Sequence, residues 1–239
     1  MSRIIFIKNN KGGVGKSTIS RNICVGLARL EYKTALLSFD SQNDSLILLG
    51  KEFNRGEKGL KSLIINSMED VKIKIRENLD YYPLETDSVS SQLREKLTLL
   101  LENLKEKYDF IIIDGAPSKD AFLSIAGSEL ADEILVPICL DKLSVEGIGR
   151  MLETQEESKI AYIVPNLYNR RKTENTILEK LQEFLEGTEI YLSEPIPNSS
   201  VEANLASKGK SIFDTGAKTA EGIQEIYFSI IEEVIKSGS

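Results

Sequence analysis

This sequence predicts an α/β fold, a doubly wound and mostly parallel sheet with helices on both faces, and three observations predict it. Near-continuous short apolar runs recur along the chain, where strands covered on one face only would alternate. Segments with apolar residues at helical spacing separate those runs, so strand and helix patterns take turns. The first strand pattern leads directly into a glycine-rich segment and then a helix pattern, the order of a phosphate cradle.

In chain order, residues 4–7 read as the first buried strand, 17–30 as a helix and 34–39 as the second strand. The stretch 41–80 is the least patterned. Its apolar pieces at 46–49 and 60–65 lie in a mixture of acids and bases and read as short helices. Helix patterns follow at 90–107, 120–130, 144–156, 173–186 and 217–236. Strand patterns stand between them at 110–113, 134–138, 160–164 and 189–192. With no internal repeat, low-complexity tract or linker, one domain over residues 1–239 is expected. A sheet of this kind binds ligands at the carboxyl ends of its strands.

The glycine-rich segment is Lys11-Gly12-Gly13-Val14-Gly15-Lys16-Ser17-Thr18. Glycines let the backbone approach phosphates without Cβ clashes. The N–H groups at the helix start face the anion. Lys16 is placed to reach the β- and γ-phosphates of a nucleotide, and the Ser17 hydroxyl to ligate Mg²⁺. The strict G-x-x-x-x-G-K-[ST] pattern fails at its first position, Asn10, and a second lysine, Lys11, follows it. One lysine suffices for the phosphate contact. Lys11 is therefore a second cation for transition-state charge, a group reaching across a two-fold interface, or a solvated surface lysine.

Asp114 closes the apolar run at 110–113. Beside a phosphate loop it is placed to hold a Mg²⁺ water, with turn capping as the alternative. Gly115, Ala116 and Pro117 then form a turn able to sense the γ-phosphate. Asp40 closes the strand at 34–39. Taken alone, it reads equally as a carboxylate that orients an attacking water and as a turn-initiating residue.

Composition bounds the partners. Of 239 residues, 41% are hydrophobic and 28% charged, an ordinary globular balance. A net charge of −7 means that any contact with DNA needs a local basic patch. Cys24 and Cys139 stand far apart in apolar contexts and read as core residues of a reducing compartment. The absence of histidine and of a CxxC pair argues against zinc. The chain enters its first strand at once, so no signal peptide is expected, and its apolar runs are too short to span a membrane.

The form K-G-G-x-G-K-[ST] resembles the deviant Walker A motif of the ParA/MinD family of dimeric P-loop ATPases. The resemblance extends along nearly the whole chain. Residues 36–44 are similar to the family's L-L-x-D-x-D-P-Q-G-N segment, with Asp40 on the second, hydrolytic Asp. Ser38, Ser41, Asn43 and Asp44 depart from that segment. Residues 108–118 resemble Y-D-x-I-I-I-D-x-P-P-S, and Glu146-Gly147 fits a further family pair. Residues 164–170, Ile196-Pro197, Ser207-Lys208-Gly209-Lys210 and 213–227 fit the remaining family stretches.

The resemblance implies ATP hydrolysis to ADP and phosphate with Mg²⁺, slow without a partner, by an ATP-sandwich homodimer. It implies nonspecific DNA binding, release stimulated by a centromere-binding ParB-like protein, and a cytoplasmic, nucleoid-associated location without membrane binding. Lys11 would contact nucleotide held by the partner subunit, Asn166 the adenine, and Pro197 the nucleotide. At this length no added N-terminal DNA-binding domain is expected. Family arginines after the Ile-Pro step correspond here to Asn198 and Val201, so the DNA candidates are Arg170, Arg171, Lys172, Lys208, Lys210 and Lys218. They either converge on one face or are scattered solvated charges. The alternative is a nucleotide-gated scaffold that positions a protein complex without DNA. A MinD-like membrane helix is disfavoured because the tail at 223–236 is amphipathic but acidic, and reads as packing on the sheet.

Overall fold

The computed structural model describes residues 2–54, 56–66, 71–118, 122–152 and 157–237. Its strands are β1 (Arg3–Ile7), β2 (Thr34–Ser38), β3 (Ile73–Arg76), β4 (Leu79–Tyr82), β5 (Phe110–Asp114), β6 (Glu133–Cys139), β7 (Ile160–Asn166) and β8 (Tyr191–Leu192). They form one sheet in the order β3-β4-β2-β5-β1-β6-β7-β8, and every neighbouring pair is parallel except β3 with β4. The helices are α1 (Lys16–Arg29), α2 (Asp44–Ile47), α3 (Leu60–Asn66), α4 (Arg94–Lys105), α5 (Phe122–Leu130), α6 (Lys142–Leu152), α7 (Lys172–Leu185), α8 (Ser200–Ala206) and α9 (Lys218–Lys236). This is the predicted α/β class.

The apolar runs are continuous because both faces of each strand are covered. Ile5, Ile7 and Ile112 pack with Ile19, Ile23 and Leu27 of α1 and with Tyr227, Ile230 and Ile231 of α9. Their neighbours Ile4, Phe6, Ile111 and Ile113 point the other way, against Leu97, Leu101 and Leu104 of α4. Ile134, Val136 and Ile138 of β6 form a third core with Leu181 and Leu185 of α7. Burying one such side chain contributes about 1.5–3 kcal/mol.

The stretch 41–80 departs from the prediction. Its pieces at 46–49 and 60–65 fall largely in the short helices α2 and α3, but the sequence reading assigned no element to 73–76 and 79–82, which are the strands β3 and β4. Ile73 and Ile75 pack on the core, while Lys74 and Arg76 pair with Asp80 and Asp214. Asn78, at φ 58, turns the hairpin. Four residues of alternation inside a charged stretch are a weak signal. As the sheet edge, β3 is short and charged on one side, which blocks pairing with other chains. Elsewhere the differences are at element ends. The helix at 90–107 opens as a 3-10 turn, and the strand at 189–192 shortens to β8. Residues 120–121 and 153–156 of two predicted helices lie outside the described residues.

Helix α9 buries Ala220, Ile223, Tyr227, Ile230, Ile231 and Val234, so the acidic tail packs on the sheet as expected. No helix among the described residues is long and apolar enough to cross a membrane. In the register, Asp114 lies level with both Ile7 and Ser38. The loops that leave β1, β2 and β5 therefore start side by side.

Candidate nucleotide-binding site

The loop between β1 and α1 is held by two other strands. Asn9 Nδ2 donates to the Pro137 carbonyl of β6, at 2.6 Å, and Asn9 Oδ1 accepts from the Lys11 N–H. At the far end, Asn166 Nδ2 of β7 donates to the Val14 carbonyl, at 2.9 Å. Gly15 caps α1 at φ 93, and a Cβ there would come within 2.1 Å of that same Asn166 nitrogen. Neither the backbone nor the space admits a side chain. The Val14 side chain is turned into the core. Gly12, Gly13, Gly15, Lys16, Ser17 and Thr18 line a cavity of about 500 Å³, which Asp40, Gly115, Pro117, Asn166 and Pro197 also line.

Lys16 is buried, with Nζ 3.4 Å from the Lys11 carbonyl. Burial pushes its pKa down, against the pull of Asp114 and Asp40. Asp114 is completely enclosed, and burial raises its carboxyl to about 6 despite hydrogen bonds from Ser45, Ser17 and Ser20. The Ser20 hydroxyl lies 3.1 Å from Asp114 Oδ1, and Ser45 in turn meets the Tyr81 hydroxyl. A buried carboxylate ringed by hydroxyls is a set of hard oxygen donors, and its raised pKa shows a negative charge that a cation relieves. The residues fit Mg²⁺, which characteristically takes one or two protein oxygens and completes its shell with phosphates and water.

The Asp40 loop is fixed by the residues that depart from the family pattern. The Ser38 hydroxyl donates to the Asp40 carbonyl at 2.7 Å, and Asp40 Oδ1 accepts from Gln42 N–H at 3.0 Å. Ser41 bonds to Asp87 through its N–H and its hydroxyl. Asn43 takes the left-handed conformation, at φ 50, where the family pattern has glycine. Its buried amide clasps both the N–H and the carbonyl of Leu84. Asp40 remains half-buried on the cavity wall.

Lys11 takes a different position. Its side chain is 44% exposed, and Nζ lies 2.6 Å from Asp141 Oδ2, outside the set of residues lining the cavity. Asp141 also caps α6, accepting from the Ser144 N–H and hydroxyl. Burial works to raise the Asp141 pKa, but Lys11 and Ser144 hold it below the usual carboxylate range.

Pro197 is anchored by a parallel bridge to Tyr168. The six basic candidates lie on three segments. Arg170, Arg171 and Lys172 are exposed in the loop that opens α7, which Asn169 joins to Asn198. Lys208 and Lys210 are exposed beyond the other end of α8, and Lys218 begins α9. None of the six enters an ion pair among the described residues. Sequence reasoning missed Ser20, Ser45 and Asp141. Ser20 was accessible in principle, one helical turn after Lys16. Asp141-x-x-Ser144 also carries the spacing of a helix cap.

A glycine-rich loop between a central parallel strand and its helix, with an Asp-terminated strand alongside, defines a P-loop nucleotide-binding fold. A family model described as an AAA domain matches residues 2–167. An uncharacterised protein of Methanocaldococcus jannaschii is 32% identical, over 97% of this chain and 99% of that one. The sporulation initiation inhibitor protein Soj of Bacillus subtilis is 27% identical over the full length of both. Among solved structures, the septum site-determining protein MinD of Pyrococcus horikoshii, complexed with Mg-ADP, superposes with a TM-score of 0.77 at 20% identity, over 100% of this chain and 98% of that one. The chain belongs to the ParA/MinD family of P-loop ATPases.

Proposed function

We propose that the protein is an ATP-dependent partition ATPase, active as an ATP-sandwich homodimer that binds DNA without sequence preference and is released when a ParB-like partner stimulates hydrolysis. The observation that supports it best is the division of labour between two lysines of one loop. Lys16 is buried on the cavity wall, while Lys11 stands exposed outside its own cavity, on Asp141. A cation that does not line its own site is available to a neighbouring one across a two-fold axis. The whole chain is held as one ATPase domain, cytoplasmic and associated with the nucleoid.

In this reading the loop N–H groups and Lys16 bind the phosphates. Ser17 and Asp114 would hold Mg²⁺, which supplies charge neutralisation when bound. Asp40 orients the attacking water, and its loop, tied to Leu84 and Asp87, fixes that orientation. Lys11 of each subunit completes the other's site and offsets charge in the transition state. Asn166 commits its amide nitrogen to holding Val14, so its contribution to the nucleotide includes shaping the loop. Arg170, Arg171, Lys172, Lys208, Lys210 and Lys218 contact DNA phosphates.

Gel-shift binding to unrelated DNA fragments with ADP, ATP and a nonhydrolysable analogue tests the reading. ATP-dependent, salt-sensitive and sequence-indifferent binding is expected. An ATP dimer with no DNA shift at low salt would favour a nucleotide-gated scaffold instead.

A further inference from the structure

The two carboxylates of the site stand on different strands, Asp40 after β2 and Asp114 at the end of β5. Helix α2, only four residues long, lies between them in the hydrogen-bond network. So short a helix does not hold its place by propensity, and its contacts must set it. Before its first turn, the Asn43 N–H donates to the Asp40 carbonyl at 3.0 Å. After its last, the guanidinium of Arg21, fully buried and paired with Glu202, donates to the Leu48 carbonyl at 3.2 Å. Between these ends stands Ser45, with no exposed surface. Its hydroxyl bonds to Asp114 and lies 3.1 Å from the hydroxyl of Tyr81 on β4, a side chain that is also fully buried.

The count of hydrogens gives this chain a direction. An ionised carboxylate only accepts, so Ser45 spends its one hydrogen on Asp114. The bond between Ser45 and Tyr81 must then carry the phenol's hydrogen. Ser38 and Asn43, the other side chains within reach of the phenol, offer it oxygens that already accept from the Asp40 N–H and the Leu84 N–H. Tyr81 therefore aims Ser45, and Ser45 fastens α2 to Asp114. Resting on the assignment of Asp114 to Mg²⁺ and of Asp40 to water, we propose that Ser45, oriented by Tyr81, is a positioning residue that keeps the two carboxylates in one frame. Neither hydroxyl touches the nucleotide. Both act through Asp114 and through the start of α2, which carries the Asp40 loop.

The test uses Ser45→Ala, Tyr81→Phe and the double variant, with calorimetry of ADP in Mg²⁺ and in chelator beside steady-state ATP hydrolysis. ADP binding in chelator should match wild type, because the phosphate loop is untouched. The Mg²⁺ concentration that half-saturates the ADP complex should rise about 10-fold in Ser45→Ala, as when an outer hydrogen bond to a metal-holding group is lost. In Tyr81→Phe it should rise several-fold. At saturating Mg²⁺ kcat should still fall in both, with KM for ATP unchanged, because the Asp40 loop has lost its frame. The double variant should be no worse than Ser45→Ala, since Tyr81 acts through Ser45. Wild-type Mg²⁺ affinity and kcat in both single variants, with only a lower melting temperature, would overturn the proposal and make the two hydroxyls structural. Additive losses in the double variant would also overturn it, by showing that Tyr81 does not act through Ser45. If wild type took up no Mg²⁺ with ADP, the metal reading of Asp114 would fall, and the proposal with it.

Discussion

Replacing Asp114 with asparagine should stabilise the nucleotide-free, metal-free protein, and by an amount that grows with pH. Burial raises the Asp114 pKa from 3.8 to about 6. A group whose folded pKa lies above its unfolded one favours folding while protonated, and that contribution is lost as pH rises through the folded value. In wild type the cost of ionising Asp114 inside the fold therefore begins near pH 4 and saturates above pH 6. At saturation it is about 3 kcal/mol, and near pH 4.5 about 1 kcal/mol. Asparagine keeps the shape and an acceptor for the Ser20 hydroxyl but carries no charge to desolvate. Urea unfolding of both proteins in chelator, from pH 4.5 to 8, should show the variant's advantage widening by about 2 kcal/mol. Mg²⁺ with ADP should then stabilise wild type and leave the variant behind. A difference that stays flat with pH, or a variant less stable than wild type at pH 8, would refute the burial argument.

Three further outcomes are expected. Lys16→Ala should abolish nucleotide binding measured by calorimetry, because the proposed reading makes this buried, cavity-lining lysine the cation on the phosphates. Asp40→Ala should accumulate an ATP-bound dimer on gel filtration with little phosphate release, and hydrolysis at the wild-type rate would remove Asp40 from its role. Asn43→Ala should lower unfolding free energy by about 3 kcal/mol, since it orphans the Leu84 N–H and carbonyl and leaves alanine in a left-handed conformation. Asn43→Gly relieves only the backbone and should recover only part of that loss.

The phosphate loop and the strands around it were legible because their signals are local. Residues 4–7 are apolar on both faces, and the glycines and Lys16 follow at fixed spacing. Asp114 could be read from the apolar run that it closes. The β3–β4 hairpin could not, because Ile73 and Ile75 become core residues only when β4 is laid beside β2, which the sequence around them does not announce. The same holds for the Asp40 loop. Ser41 and Asn43 look like losses against the family pattern, yet Asp87 and Leu84, some forty residues on, supply the fixings. Glu202 and Arg21 meet across 181 positions, and no spacing rule joins them. Local chemistry is written in neighbouring letters, whereas buried partnerships are set by the sheet order.

That last partnership has a consequence for the protein's birth. Arg21 leaves the ribosome early, on the helix that follows the phosphate loop. Its acceptors are Leu48, Lys210 and Glu202, two of them near the end of the chain. At synthesis rates of roughly 5–20 residues per second, Glu202 follows Arg21 by about 10–35 seconds. Throughout that interval a guanidinium destined for complete burial stays in water, and the surface of α1 that α9 will cover stays open. The nucleotide site is among the first parts of the chain to be made and among the last to be finished, so chaperones have a defined time window in which to meet it.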